Sequence, residues 1–193
     1  MRARDNPFRS ERIQSLRYRF LDGAWDGLWT RLESLGFRAA IVGPQGSGKT
    51  TLLEELATRL RASGREIREL RLDTETPRFD PKFLEELFAS LGPRDVILFD
   101  GAEQLTRFEW GRFKHRAAGG LVVTSHRPGL LPTVLQTATT PELLEGLVSE
   151  ILGDRAAEMR DRLPGLYERH AGNLREALRE LYDACAASAP VRV

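Results

Sequence analysis

Cysteine occurs once in the 193 residues, as Cys185. A lone thiol closes no intrachain disulfide, so a disulfide-stapled secreted scaffold is excluded, as is a Cys/His zinc cluster. Cys185 falls on the apolar side of a predicted helix, where packing accounts for it. No apolar run approaches the ~20 residues of a membrane-spanning helix. The opening residues Met1 to Pro7 carry no apolar core of a secretory signal, so the expected compartment is the cytoplasm, with no membrane partner. A dominant charge is also missing: the formal net charge is +1. No overall field draws the chain onto nucleic acid, which is not indicated as a partner. The first twenty residues do carry six arginines against Asp5 and Glu11. This reads as a solvated start, with contact to an acidic partner or nucleic acid as the alternative. No internal repeat or low-complexity segment occurs.

What is present is a phosphate-binding loop. Gly43-Pro44-Gln45-Gly46-Ser47-Gly48-Lys49-Thr50 fits G-x-x-x-x-G-K-[ST]. Phe37 to Val42 reads as a buried strand before it. Thr51 to Ser63 reads as a helix after it, with Leu52, Leu53, Leu56, Ala57 and Leu60 at helical spacing and Gly64 as the stop. Glycine at 43, 46 and 48 permits the backbone conformations that turn successive N–H groups inward around phosphates. The helix that follows adds the positive end of its dipole. Lys49 is expected to reach the β- and γ-phosphates and the Thr50 hydroxyl to bind Mg²⁺, with Thr51 completing the nucleotide-binding set.

The rest of the chain alternates. Ser10 to Leu21 and Ala24 to Leu35 read as helices, and Glu66 to Leu72 as a strand. A helix follows over 81–90, capped by Asp80 with Pro81 in its first turn. Val96 to Asp100 is an apolar strand ending in an acid, and Leu105 to Arg116 a helix weakened by Gly111. Leu121 to Ser125 is another buried strand and Thr133 to Ala138 a fifth. Strands alternating with helices predict an α/β fold, a parallel-sheet P-loop NTPase core with helices on both faces. After Thr140-Pro141 strand signals stop. Glu142 to Leu152, Asp154 to Leu163, Gly165 to His170 and Asn173 to Ala187 read as helices, the last capped by Asn173 with Glu176. The expected organisation is an N-terminal helical segment over 1–36, a core over 37–140 and a small C-terminal helical lid over 141–193. In many P-loop ATPases the segment before the first strand covers the adenine, so Trp25, Trp29 and Arg12 are noted there, against a core role for the two tryptophans.

Asp100, at the end of its apolar strand, suits a Walker B acid that orients the water ligands of Mg²⁺; the competing reading is a helix N-cap. Asp100-Gly101-Ala102-Glu103-Gln104 resembles the NACHT class of STAND ATPases, where a small residue follows the aspartate and an acid stands at this spacing. Many AAA-type ATPases instead place glutamate directly after it, where this chain has Gly101. The resemblance implies Glu103 as the group that activates water. Thr124-Ser125-His126-Arg127-Pro128 is similar to the Thr-Ser-Arg-Pro sensor of NACHT-type proteins, with His126 inserted. There the motif serves as a sensor of the γ-phosphate. At the tip of a strand beside Asp100, Thr124 or Ser125 is placed to hydrogen-bond a phosphate or the attacking water, and Arg127 to neutralise charge on the γ-phosphoryl group; His126 is either polar filler or a partner of Glu103. Gly172-Asn173-Leu174-Arg175-Glu176-Ala177-Leu178 resembles the sensor-2 region of AAA-type lids, which implies that Arg175 reaches across the nucleotide. STAND lids favour Gly-x-Pro, and Leu174 stands where that proline falls.

The expectation is an ATP-binding protein, a Mg²⁺-dependent ATPase of AAA-like or STAND-like type, driving lid motion and working with a protein partner or as a homo-oligomer. Two alternatives stay open: a small-molecule or nucleoside kinase, and a switch that binds nucleotide without hydrolysing it, which Gly101 motivates. No Asn-Lys-x-Asp guanine motif occurs, which favours ATP over GTP.

Overall fold

The computed structural model describes residues 5–187. Contacts divide the chain into two compact units. One comprises Asp22–Gly43 and Lys49–Thr137; the other comprises Pro44–Gly48 with the described parts of Met1–Leu21 and Ala138–Val193.

The first unit holds a five-stranded sheet made of β1 (Arg38–Val42), β2 (Ile67–Arg71), β3 (Val96–Asp100), β4 (Gly120–Ser125) and β5 (Thr133–Gln136). The order is β2-β3-β4-β1-β5 and every pair is parallel. Burial follows from composition. β1, β3 and β4 are nearly continuous apolar runs and occupy the interior positions. β2, Ile67-Arg-Glu-Leu-Arg71, carries three charged residues and takes an edge, where only Leu70 is buried.

Four helices complete this unit: α2 (Trp25–Ser34), α3 (Lys49–Ala62), α4 (Pro81–Ser90) and α5 (Arg107–Arg116). Side chains alternate across the sheet. Ala40, Val42, Leu70, Ile97, Phe99, Leu121 and Val123 form one face with Leu87 of α4 and Trp110 and Phe113 of α5. α3 packs on β2, β3 and β4 through Leu52, Leu56 and Leu60, each fully buried, on the opposite face. The crossover from β1 to β2 runs one way across the sheet, and those from β2 to β3, β3 to β4 and β4 to β5 run the other. With right-handed crossovers, β1's helix lies opposite the helices after β2 and β3. Chains leaving the carboxyl ends of neighbouring β1 and β4 therefore diverge, and a ligand crevice forms at such a divergence.

The second unit is helical: α1 (Ser10–Gln14), α6 (Pro141–Leu152), a 3-10 stretch Gly153–Arg162, α7 (Leu163–Arg169) and α8 (Leu174–Ala187). Its core gathers Leu144, Val148 and Ile151 of α6, Leu163 and Leu166 of α7, and Leu174, Ala177, Leu178 and Leu181 of α8 around Phe8. Phe8 is 1% exposed. Asn6 holds it there, donating from Nδ2 to the Tyr182 carbonyl and accepting from the Phe8 N–H.

Three expectations need correction. The helix predicted over Ser10 to Leu21 stops at Gln14 because Ser15 turns its hydroxyl onto the Arg12 carbonyl; Tyr18 and Phe20 beyond it meet edge to face. The helix predicted from Asp154 to Leu163 is the 3-10 stretch, in which Ala156 alone is buried, so no apolar stripe favours the α form. The helix predicted from Leu105 begins at Arg107, because Thr106 and Glu109 close a capping box around that start. The expected chain end with Pro190 lies outside the described residues.

Candidate functional site

In the sheet unit, β1 delivers Gly43, whose N–H donates to the Ser125 carbonyl at the end of β4. α3 starts at Lys49, which is buried and donates from Nζ to the Gly43 carbonyl at 2.8 Å. Thr50 Oγ1 donates to Asp100 Oδ2 at 2.8 Å, and Thr124 Oγ1 donates to Oδ1 at 2.5 Å. Parallel pairing of β3 with β4 aligns these strand ends, so the separate sequence signals at 50, 100 and 124 meet in one cluster. The two hydroxyls fix the plane of the Asp100 carboxylate. A cavity of about 190 Å³ opens beside the pair, lined by Thr50, Glu54, Glu69, Arg71 and Asp100 among others. The donors are hard oxygens and few. Among the described residues no group of three or more His, Cys, Asp or Glu could hold a metal alone. One hydroxyl and one carboxylate beside a space for water suit Mg²⁺, which keeps several waters and takes other ligands from phosphate.

Gly101 departs from the AAA-type pattern for a steric reason. Its φ is +82°, and a Cβ placed there would lie 2.1 Å from the Leu72 carbonyl oxygen. No side chain fits, so an acid cannot follow Asp100 directly. The Gly101 N–H donates to Thr124 Oγ1 at 2.9 Å, and the chain enters a 3-10 turn, Ala102–Gln104, that carries Glu103. His126 Nδ1 stands 3.2 Å from Glu103 Oε1. Glu103 Oε2 is buried with no hydrogen-bond partner among the described residues. Ser125 is 2% exposed; its hydroxyl donates to the Arg127 carbonyl and accepts the Arg127 N–H. It holds the loop, while the Arg127 side chain stands exposed.

The helical unit contains the loop Pro44–Gly48. Ser47 Oγ donates to the Pro44 carbonyl at 2.8 Å. Gly46, at φ +72°, has the Asn173 side chain so close that an added Cβ would lie 1.9 Å from its Oδ1. Asn173 Oδ1 also accepts the Glu176 N–H at the start of α8. Arg175 is exposed in the first turn of that helix. The Tyr18 ring lies where a Cβ on Gly48 would come within 3.2 Å of it; burial pushes its phenol up to about 12. Tyr18 escaped sequence reading because it sat inside a predicted helix. Of the residues noted for adenine, Trp29 donates to Glu33 and meets Phe37 edge to face, and Trp25 lies under the Arg59 guanidinium at 4.2 Å. Arg12 lends its carbonyl to Ser15. The structure thus joins Thr50, Asp100 and Thr124, sets Glu103 beside His126, ties Lys49 to the Gly43 carbonyl, and leaves the Arg127 and Arg175 side chains exposed.

Comparisons with known proteins bear on the family and the fold. The model of the family "ATPase family associated with various cellular activities (AAA)" matches residues 39–149, more than half of the chain. No curated protein matches. Among solved structures, the Thermotoga maritima RuvB Holliday junction branch migration motor is similar at 21% identity and TM-score 0.52, over 81% of this chain and 58% of that one. A lysine-to-arginine variant of the same protein matches at 17% identity and TM-score 0.53, over 82% of this chain and 61% of that one. This chain therefore spans less than two thirds of the length of either. At such identities the likeness concerns the fold.

Proposed function

The chain belongs to the AAA family of ATPases; on that premise we propose that it binds and hydrolyses ATP, with its residues dividing the work as follows. The backbone of Gly43, Pro44, Gln45, Gly46, Ser47 and Gly48 surrounds the phosphates, and Lys49 leaves the Gly43 carbonyl to reach the β- and γ-phosphates. Thr50 and Asp100 would hold Mg²⁺, which would supply charge neutralisation at the phosphates. Thr51, in the first turn of α3, completes the nucleotide contacts. Thr124 keeps the Asp100 carboxylate in one orientation. Glu103 Oε2 accepts a proton from the attacking water, and Arg127 and Arg175 offset charge on the γ-phosphoryl group. Ser125 serves through the Arg127 backbone it binds.

The observation that carries this reading is the Thr50–Asp100 hydrogen bond, followed three residues on by a buried carboxylate oxygen with nothing bound to it. The reading also includes movement of the helical unit on turnover, and a protein partner or a second copy of the chain on which that movement acts. The compartment that goes with this reading is the cytoplasm; no helix among the described residues is long and apolar enough to cross a membrane. Substituting Glu103→Gln tests the assignment. Turnover is expected to fall by about 10² to 10⁴-fold, while affinity for a fluorescent ATP analogue stays within about threefold. Unchanged turnover in that variant would sink it.

A further inference from the structure

Glu103 is held on one side only. Its backbone is fixed, since the turn that carries it closes with Gln104 N–H on the Gly101 carbonyl and Leu105 N–H on the Ala102 carbonyl, and this turn packs on β4. Its side chain is three-quarters buried and leaves one oxygen, Oε2, without a donor. Leaving a buried acceptor unpaired costs about 1–3 kcal/mol, more for a charged group, and a carboxylate free to rotate would swing that oxygen toward solvent. Its other oxygen stands 3.2 Å from His126 Nδ1. An ionised carboxylate only accepts, so the donor across this gap is an Nδ1–H.

We infer that His126 is a positioning residue for hydrolysis: by binding Oε1 it locks the Glu103 carboxylate so that Oε2 is the oxygen presented to the attacking water. This rests on the proposed role of Glu103. The backbone at 126 is itself constrained, because Ser125 Oγ bonds both polar backbone groups of Arg127. Ser125 and Thr124, at the end of β4, thus prepare the two carboxylates differently. Thr124 bonds Asp100 directly, and Ser125 closes the turn from which His126 reaches Glu103. The extra residue between Ser125 and Arg127 has a use on this account. Glu103 stands farther along the chain from Asp100 than an acid that follows it directly, and a side chain from the neighbouring strand end fixes its orientation. His126 touches Glu103 and acts through it, while its own side chain is half exposed.

The test is steady-state ATP hydrolysis and fluorescent-nucleotide affinity for His126→Leu, His126→Asn, His126→Asp and Glu103→Gln. Asn can place its amide N–H where Nδ1–H stands, so His126→Asn is expected to keep kcat within about threefold. His126→Leu removes the donor and is expected to lower kcat by about ten- to a hundredfold, with KM within about twofold, since only orientation in the transition state is lost. His126→Asp has the shape of the Asn variant but sets an acceptor against an acceptor, so its kcat is expected to fall with that of Leu. This pair keeps the test sharp even where Leu perturbs folding. Equal kcat in the Asn and Asp variants overturns the inference. If Glu103→Gln abolishes turnover while Leu and Asp match the wild type, the inference fails alone. If Glu103→Gln turns over normally, the role of Glu103 and the inference fall together.

Discussion

Gly101 shows how one backbone contact can redraw an active site. With the Leu72 carbonyl 2.1 Å from the nearest position a Cβ could take, and φ at +82°, any side chain must push two strand ends apart. Gly101→Ala is therefore expected to destabilise the protein by more than about 1 kcal/mol, read as a lower denaturation midpoint in urea. Its kcat is expected to fall as well, because the Gly101 N–H to Thr124 bond links the turn to the Asp100 cluster. A variant as stable as the wild type would refute the steric account. The phosphate-loop pattern and the positions of Asp100 and Glu103 are legible in the sequence because each is a residue type at a fixed offset from a strand; the roles assigned to them remain proposals. The use of Thr124 was half legible: its place at a strand tip was clear, whereas its choice of Asp100 over phosphate depends on the pairing of β3 with β4. Tyr18 and the approach of Asn173 to Gly46 were not legible, since both join positions far apart in the chain and no local pattern records them.

Elements with their own punctuation were read correctly. α4 has Asp80 accepting the Lys82 and Phe83 N–H groups and Pro81 at its start, and its predicted bounds coincide with those observed. α1 and the 3-10 stretch 153–162 were over-read, because apolar residues at nearly helical spacing were counted where burial is slight. The joint between α7 and α8 carries information that periodicity does not. Arg169 and His170 both bond Glu180 of α8. Arg169 first and His170 second hold the Glu180 carboxyl below its ordinary value of 4.5. A carboxylate with a depressed folded pKa contributes stability that is present above its unfolded value and is lost as pH falls through the folded one. Acid titration of thermal stability is thus expected to show a limb below about pH 4.5 in the wild type that is shallower in Glu180→Gln. Superimposable acid limbs would show that the contact contributes nothing; Glu180 is well exposed, so solvent screening keeps the effect small.

Among the described residues, one apolar cluster lies on a face of the sheet and another gathers around Phe8. A reading in chain order sets boundaries near 36/37 and 140/141, whereas contacts group the described residues of Met1–Leu21 with those of Ala138–Val193. Helical periodicity identifies which side of α8 is apolar, but not that the opposite end of the chain covers it. Phe8→Ala is expected to cost the helical unit about 3–5 kcal/mol, as for other buried aromatic truncations. Hydrogen exchange should report it: amides of α6, α7 and α8 exchange faster, and those of β1, β3 and β4 keep their protection. Equal acceleration in both sets would mean that the units unfold together.

The placement of Phe8 also has a consequence during synthesis. Phe8 leaves the ribosome before any strand of the sheet, yet its neighbours Leu144, Leu166, Leu178 and Leu181 are translated much later. At about 5–20 residues per second, an exposed phenylalanine waits about 10 to 35 seconds for Leu181, long after the sheet's last strand has been made. The newborn chain thus carries an unsatisfied apolar hook, and the helical unit cannot close until Leu181 has been made, after every strand of the sheet.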